Sequence, residues 1–187
     1  MSEEKLTTNV LILELSTMIV AIALAFSAQS LSNSLTLFNI IDYIFVNIIV
    51  VWFWWRYIMD RFKYPVKRNT FPFYDVLLLI IISLLPEVLK VGEIFYLSGT
   101  LAALSFIWSL MLRSILNDYR SIFDQKSTKS IKERIILRIF LGLIFLISFI
   151  IGFVSIAIAH IIFFVTILVI IYNLVIELAR AKINRKL

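Results

Sequence analysis

The sequence predicts an all-α membrane protein: a single six-helix transmembrane domain, residues 1–187, with both termini cytoplasmic. Three observations lead there. The 187 residues are 61% hydrophobic and only 16% charged, with a mean hydropathy of +1.00. A soluble domain runs at roughly 45–50% apolar and about 25% charged. The apolar residues also gather into charge-free runs long enough to cross a hydrocarbon core of roughly 30 Å, which takes about 20 helical residues. Finally, the basic residues between those runs alternate from dense to nearly absent.

Residues 15–41 hold no formal charge over 27 positions, but Ser30-Leu31-Ser32-Asn33-Ser34 is turn-like. The first helix is therefore expected at about 10–31 and the second at 38–59. The third is expected at 73–89, with Pro86 in its last turn, and the fourth at 94–112. Residues 139–176 are again free of charge, for 38 positions. As one helix they would extend about 57 Å at 1.5 Å per residue, nearly twice the hydrocarbon thickness. Two helices, about 135–154 and 158–178, are required, and Gly152, Ser155 and His160 mark the break.

Charge placement sets the orientation. Arg61, Lys63, Lys67 and Arg68 follow the second helix, with Arg56 just inside its end. Arg113, Arg120, Lys126, Lys129, Lys132, Arg134 and Arg138 follow the fourth, and Arg180, Lys182, Arg185 and Lys186 close the chain. The connections after the first and fifth helices contain neither Lys nor Arg. With Lys5 inside, only Lys90 of the 18 basic residues falls outside. Basic residues mark the cytoplasmic face. That accounts for the net charge of +6 through topology and anionic headgroups, without nucleic acid. The polar start, Met1-Ser2-Glu3-Glu4-Lys5, followed by no small-residue cleavage site, is read as leading into a retained span.

The residues missing from the chain exclude several chemistries. With no Cys and one His, neither a thiolate nor a multi-histidine metal site is expected. Four Gly form no phosphate-cradling motif. No cofactor and no enzyme activity are expected. A proton-coupled carrier is disfavoured because neither a carboxylate pair within the spans nor an inverted repeat is visible.

Polar groups within the spans are the functional candidates. Glu14, near the cytoplasmic end of the first helix, reads as a carboxylate snorkelling to the headgroups or as a cation-attracting mouth. Asp75 reads as a cap for the third helix. Asp42, Glu87 and Glu93 are placed near the outer surface, and His160 in the outer turn. Trp52-Phe53-Trp54-Trp55-Arg56-Tyr57 reads as an interfacial belt. On the first helix, Ala21, Ala25, Ala28 and Ser32 share one face, which permits close approach of another helix. The adjacent stripe, Ile22, Phe26, Gln29 and Asn33, turns from apolar to polar toward the outside. It is either interhelical packing with a polar end or a pore wall with a hydrophobic constriction, which gates by dewetting.

Leu11-Ile12-Leu13-Glu14-Leu15-Ser16-Thr17, then Met18-Ile19-Val20-Ala21-Ile22-Ala23-Leu24, resembles the opening of helix one in a known family. This is the prokaryotic, six-helix branch of the transmembrane protein 175 family of potassium channels. There an Arg-x-x-x-Phe-Ser-Asp signature precedes an Ala-Ile-Ala-rich run. Ser16 and the Ala-Ile-Ala run align, while Leu11, Leu15 and Thr17 stand at the Arg, Phe and Asp positions. The Trp54-Trp55-Arg56 segment through Arg61-Phe62, and Asp75 through Ser83-Leu84-Leu85-Pro86 with Asp for the family's Asn, continue the resemblance over nearly the whole chain.

The resemblance implies a homotetramer in the prokaryotic cell membrane. Helix one of each subunit would line a passive pore for potassium or another monovalent cation. Ile22 falls at the first constriction. Phe26 and Gln29 fall at the next two layers, where those proteins usually carry Leu. Ser16 and Thr17 are the motif remnant, and Glu14 and Asn33 are candidate pore mouths. Loss of the Arg and Asp removes a polar network of that family. The alternative is therefore a non-conducting scaffold or accessory subunit descended from such channels.

Overall fold

The computed structural model describes residues 3–33, 37–66, 72–90 and 94–184. Within them, the side chains of 3–9, 11–12, 30–33, 37–39, 41–42, 45, 89–90, 94 and 173–184 lie outside the description. The described residues form six α-helices and no strand: α1 Glu3–Asn33, α2 Leu37–Lys63, α3 Phe73–Lys90, α4 Ile94–Asp118, α5 Gln125–Gly152 and α6 Ile156–Asn184. Among the described residues α4, from Phe95, and α5 are long and apolar enough to cross a membrane. Shorter apolar stretches run over Leu13–Gln29 and Ile156–Tyr172.

The helices differ from the apolar runs mainly at one end of the bundle. There α4 continues to Asp118 and α5 begins at Gln125, well outside the charge-free segments. Hydropathy delimits only the apolar stretch, whereas Lys, Glu, Gln and Arg continue a helix readily. Most of the basic residues expected in the connection after the fourth helix are therefore helical, and the connection itself shrinks to 119–124. It ends where the Asp124 carboxylate accepts the Ser127 N–H at 2.9 Å and caps α5.

At the opposite end α5 and α6 reverse through Phe153–Ser155. The amides of Val154 and Ser155 fold back onto the Ile151 carbonyl at 2.9 and 2.8 Å. Gly152 lies against Phe95 so closely that a β-carbon would overlap it. His160 is not in this turn. It stands within α6, half-buried, because the reversal needs only three residues.

Helix α4 is central, packing on α3, α5 and α6, and its contact with α5 is the most extensive in the bundle. Gly99 of α4 meets the Phe149 ring and Gly142 of α5 meets the Phe106 ring, so each aromatic fills the space a side chain would need. Ser98 and Ser148 lie 3.1 Å apart, and Ser148 also reaches the Ala159 carbonyl, joining α4, α5 and α6. By contrast, among the described residues α1 packs on α2 and α3 alone. The outward faces of α5 and α6 are apolar: Ile136, Phe140, Leu143, Ile147, Ile161 and Leu168 are all exposed.

Candidate functional site

Helix α1 is divided lengthwise. Ser16, Val20, Ala23 and Ser27 are buried, a spacing of three and four that faces the rest of the bundle. Near the end of that stripe, Asn47 of α2 donates through Nδ2 to the Ser27 Oγ at 2.9 Å and to the Tyr43 carbonyl at 2.7 Å. The Ser16 and Thr17 hydroxyls both donate to the Leu13 carbonyl of their own helix, at 2.7 and 2.9 Å. Ile22 and Phe26 are 49% and 44% exposed, and Gln29, Glu14, Ala21, Ala25 and Ala28 are exposed as well. Ile22 and Gln29 are separated by about 10.5 Å along the axis. The side chains of Asn33, Ser32 and Asp42, and the whole of Glu93, lie outside the described residues.

A polar cluster ties α2 to α3. Asp75 does not cap its helix: it accepts Arg61 Nε on Oδ1 and Arg61 Nη2 on Oδ2, both at 2.6 Å. Tyr57 donates its hydroxyl to the same Oδ1 at 2.9 Å. All three residues are buried. Close by, Arg134 of α5 donates to Asp60 of α2 at 2.6 Å, and Tyr119 donates to the Pro65 carbonyl. Burial pushes the Tyr119 phenol above its ordinary range. In the same connection, hydrogen bonds from Ser127 hold the Asp124 carboxyl below the usual carboxylate range.

Arg138, expected in the basic connection after the fourth helix, is a core residue of α5. It is 5% exposed, with its guanidinium 4.8 Å from the Trp108 ring, 4.9 Å from Trp52 and 5.1 Å from Phe53. Each such placement attracts a cation electrostatically, more so where water is excluded. Trp52, Phe53 and Tyr57 are therefore core residues, and of that aromatic run Trp55 is the exposed member, at 53%.

A signal for this existed in the sequence. Phe53, Tyr57, Asp60, Arg61 and Tyr64 follow Val46, Ile49 and Val50 at helical spacing, and all are buried. Likewise Arg138 belongs to the stripe Ile131, Leu141, Phe145, Ser148 and Gly152, the buried face of α5. A charge on an otherwise apolar helical stripe is a better guide to burial than its place in a connection.

No protein-family model, curated protein or solved structure matches the chain.

Proposed function

We propose that this chain is a multi-pass protein of the prokaryotic cell membrane, with six spans and both termini cytoplasmic. Four copies surround a passive pathway for potassium or another monovalent cation, lined by α1. The spanning part is supported by the alternation of basic residues, by the apolar outward faces of α5 and α6, and by two helices of crossing length. The conducting part rests on the division of α1. One edge is engaged inside the subunit, while the Ala21-Ala25-Ala28 stripe and the Ile22-Phe26-Gln29 stripe lie exposed side by side. Small residues let a neighbouring backbone approach closely, and that turns the adjacent stripe toward the assembly axis. Two apolar layers beneath a polar one then make a constriction that passes ions only when wetted.

A second reading, the non-conducting scaffold, is favoured by Ser16 and Thr17. Among the described residues their hydroxyls bond to the Leu13 carbonyl of their own helix and link no helix to another. Potassium flux from loaded proteoliposomes separates the two. With Ile22 at the constriction, Ile22→Ala increases the leak over the parent. Equal, background-level flux from both proteins refutes the channel and leaves the scaffold.

A further inference from the structure

Asp60 and Arg61 are neighbours on α2 but hold different helices. Arg61 ties α2 to Asp75 of α3, and α1 packs on both, so α1, α2 and α3 form one half of the bundle. The other half is α4, α5 and α6, drawn together where Gly99 and Gly142 receive the rings of Phe149 and Phe106. The contact of α3 with α4 joins the halves. The seam between α2 and α5 is built differently. Among the described residues no Cα of α2 comes within 8 Å of one of α5, and the two helices meet through long side chains. Toward the 119–124 connection, Arg134 donates to Asp60 at 2.6 Å, with 26% and 7% of those side chains exposed. One turn along α5 toward the α5–α6 reversal, the Arg138 guanidinium lies against the rings of Trp52 and Phe53 of α2 and Trp108 of α4. Phe53 also meets Trp108, with ring centroids 5.1 Å apart. Beyond that level is a cavity of about 380 Å³, walled by Trp52 of α2, Leu141 and Ile144 of α5, and Ile162 and Val165 of α6. From Arg138 to Ile144 it follows α5 for about 9 Å at 1.5 Å per residue.

We propose that α2 rocks against α5 about the level of Phe53, Trp108 and Arg138, and that the Asp60–Arg134 bridge is the latch of the closed state. Close-packed interiors hold few voids larger than a water molecule, and side chains that border one lose dispersion contacts on that side. The seam therefore resists motion least at the cavity, and on the other side of the aromatic level it is held by a charged pair. As the bridge parts, the end of α2 that carries Asp60 swings off α5 while the part that carries Trp52 moves into the cavity. Packed interfaces exchange between discrete arrangements and do not deform continuously, so two seam distances are expected. Because α1 packs on α2 and α3, the motion carries α1 relative to α4, α5 and α6. The inference rests on how the helices pack and is independent of conduction.

The sequence contains no cysteine, so the seam can be measured between spin labels on paired introduced cysteines in the full-length protein in bilayer nanodiscs. Met59→Cys with Ile136→Cys spans α2 and α5, and Leu110→Cys with Ile136→Cys spans α4 and α5 within the second half. All three positions are exposed. The parent should show one predominant seam distance. Asp60→Asn should raise the ratio of a longer distance to the shorter one by at least about tenfold, the scale of a lost charge-assisted hydrogen bond, and Arg134→Gln should do the same. The α4–α5 distance should stay at the parent's value in every variant, which also reports that the bundle has folded. Ile162→Trp fills the cavity, and added to Asp60→Asn it should return the ratio to the parent's. A seam distance unchanged in both Asp60→Asn and Arg134→Gln overturns the latch. The same ratio with and without Ile162→Trp in the Asp60→Asn protein overturns the rocking. An α4–α5 distance that shifts together with the seam overturns both, because the whole bundle has then loosened.

Discussion

Asp75 offers the sharpest test of how the bundle is held together. Its carboxylate takes two bonds from Arg61 at 2.6 Å and one from Tyr57 at 2.9 Å. The Arg61 and Asp75 side chains are only 9% and 4% exposed. Asp75→Ala leaves the buried guanidinium with the Tyr64 carbonyl on Nη1 at 3.3 Å but without its carboxylate. Breaking such a pair on one side costs about 3–5 kcal/mol. Asp75→Asn retains an acceptor and loses the charge, a loss of about 1.5–3 kcal/mol if one charge-assisted bond goes with it. Replacing Arg61 and Asp75 together by leucine removes both desolvation penalties, so the double variant should be more stable than Asp75→Ala. The measurement is reversible unfolding in mixed micelles, assembled into a double-mutant cycle. Asparagine caps a helix as well as aspartate does. An Asp75→Asn variant within about 0.5 kcal/mol of the parent, inside the ordinary scatter for independent sites, would therefore refute the ion pair and restore the cap. A double leucine variant as damaged as Asp75→Ala would refute it too.

Three further outcomes follow from the same geometry. Gly152→Ala forces its new methyl into Phe95 and should cost about 1–3 kcal/mol, as overpacking does; an unchanged unfolding midpoint would show that the α5–α6 reversal has room. Asn47→Ala removes the donor from buried Ser27. Its coupling to Ser27→Ala in a cycle should be about 0.6 kcal/mol, the mean for polar contacts between membrane helices, and zero coupling would remove that link from the α1–α2 interface. The Asp124 carboxyl is held below its ordinary range by Ser127, so its contribution is present above the unfolded value and is lost as pH falls through the folded one. Asp124→Ala should therefore lower the thermal midpoint at neutral pH and match the parent in strong acid, and a difference that persists there would contradict the capping role.

How much of this was legible depends on the range of the interaction concerned. The six helices are local: an apolar run of known length implies a crossing, and the arithmetic over residues 139–176 demanded a reversal that Gly152 and Ser155 mark. The pairings that hold the helices are not local. Arg61 meets Asp75 across a connection, and Arg138 of α5 is surrounded by rings from α2 and α4. Counting basic residues by connection gave both arginines only a sign, whereas their helical stripe would have given them a depth.

The same distinction bears on α1. Its buried edge is made of Ser16, Val20, Ala23 and Ser27, as small and mild as the Ala21-Ala25-Ala28 stripe beside it, so hydropathy cannot tell which edge faces inward. Only the tertiary contact does, and it leaves the Ala stripe and Ile22, Phe26 and Gln29 outward together. In lipid, apolar area gives no preference between a partner helix and an acyl chain, whereas close backbone packing does. A self-association of this chain should accordingly weaken with Ala25→Leu, which blocks the approach, and not with Leu143→Ala on the exposed face of α5. Equal dimer or tetramer populations for both variants in bilayers would place the interface elsewhere and remove α1 from the axis.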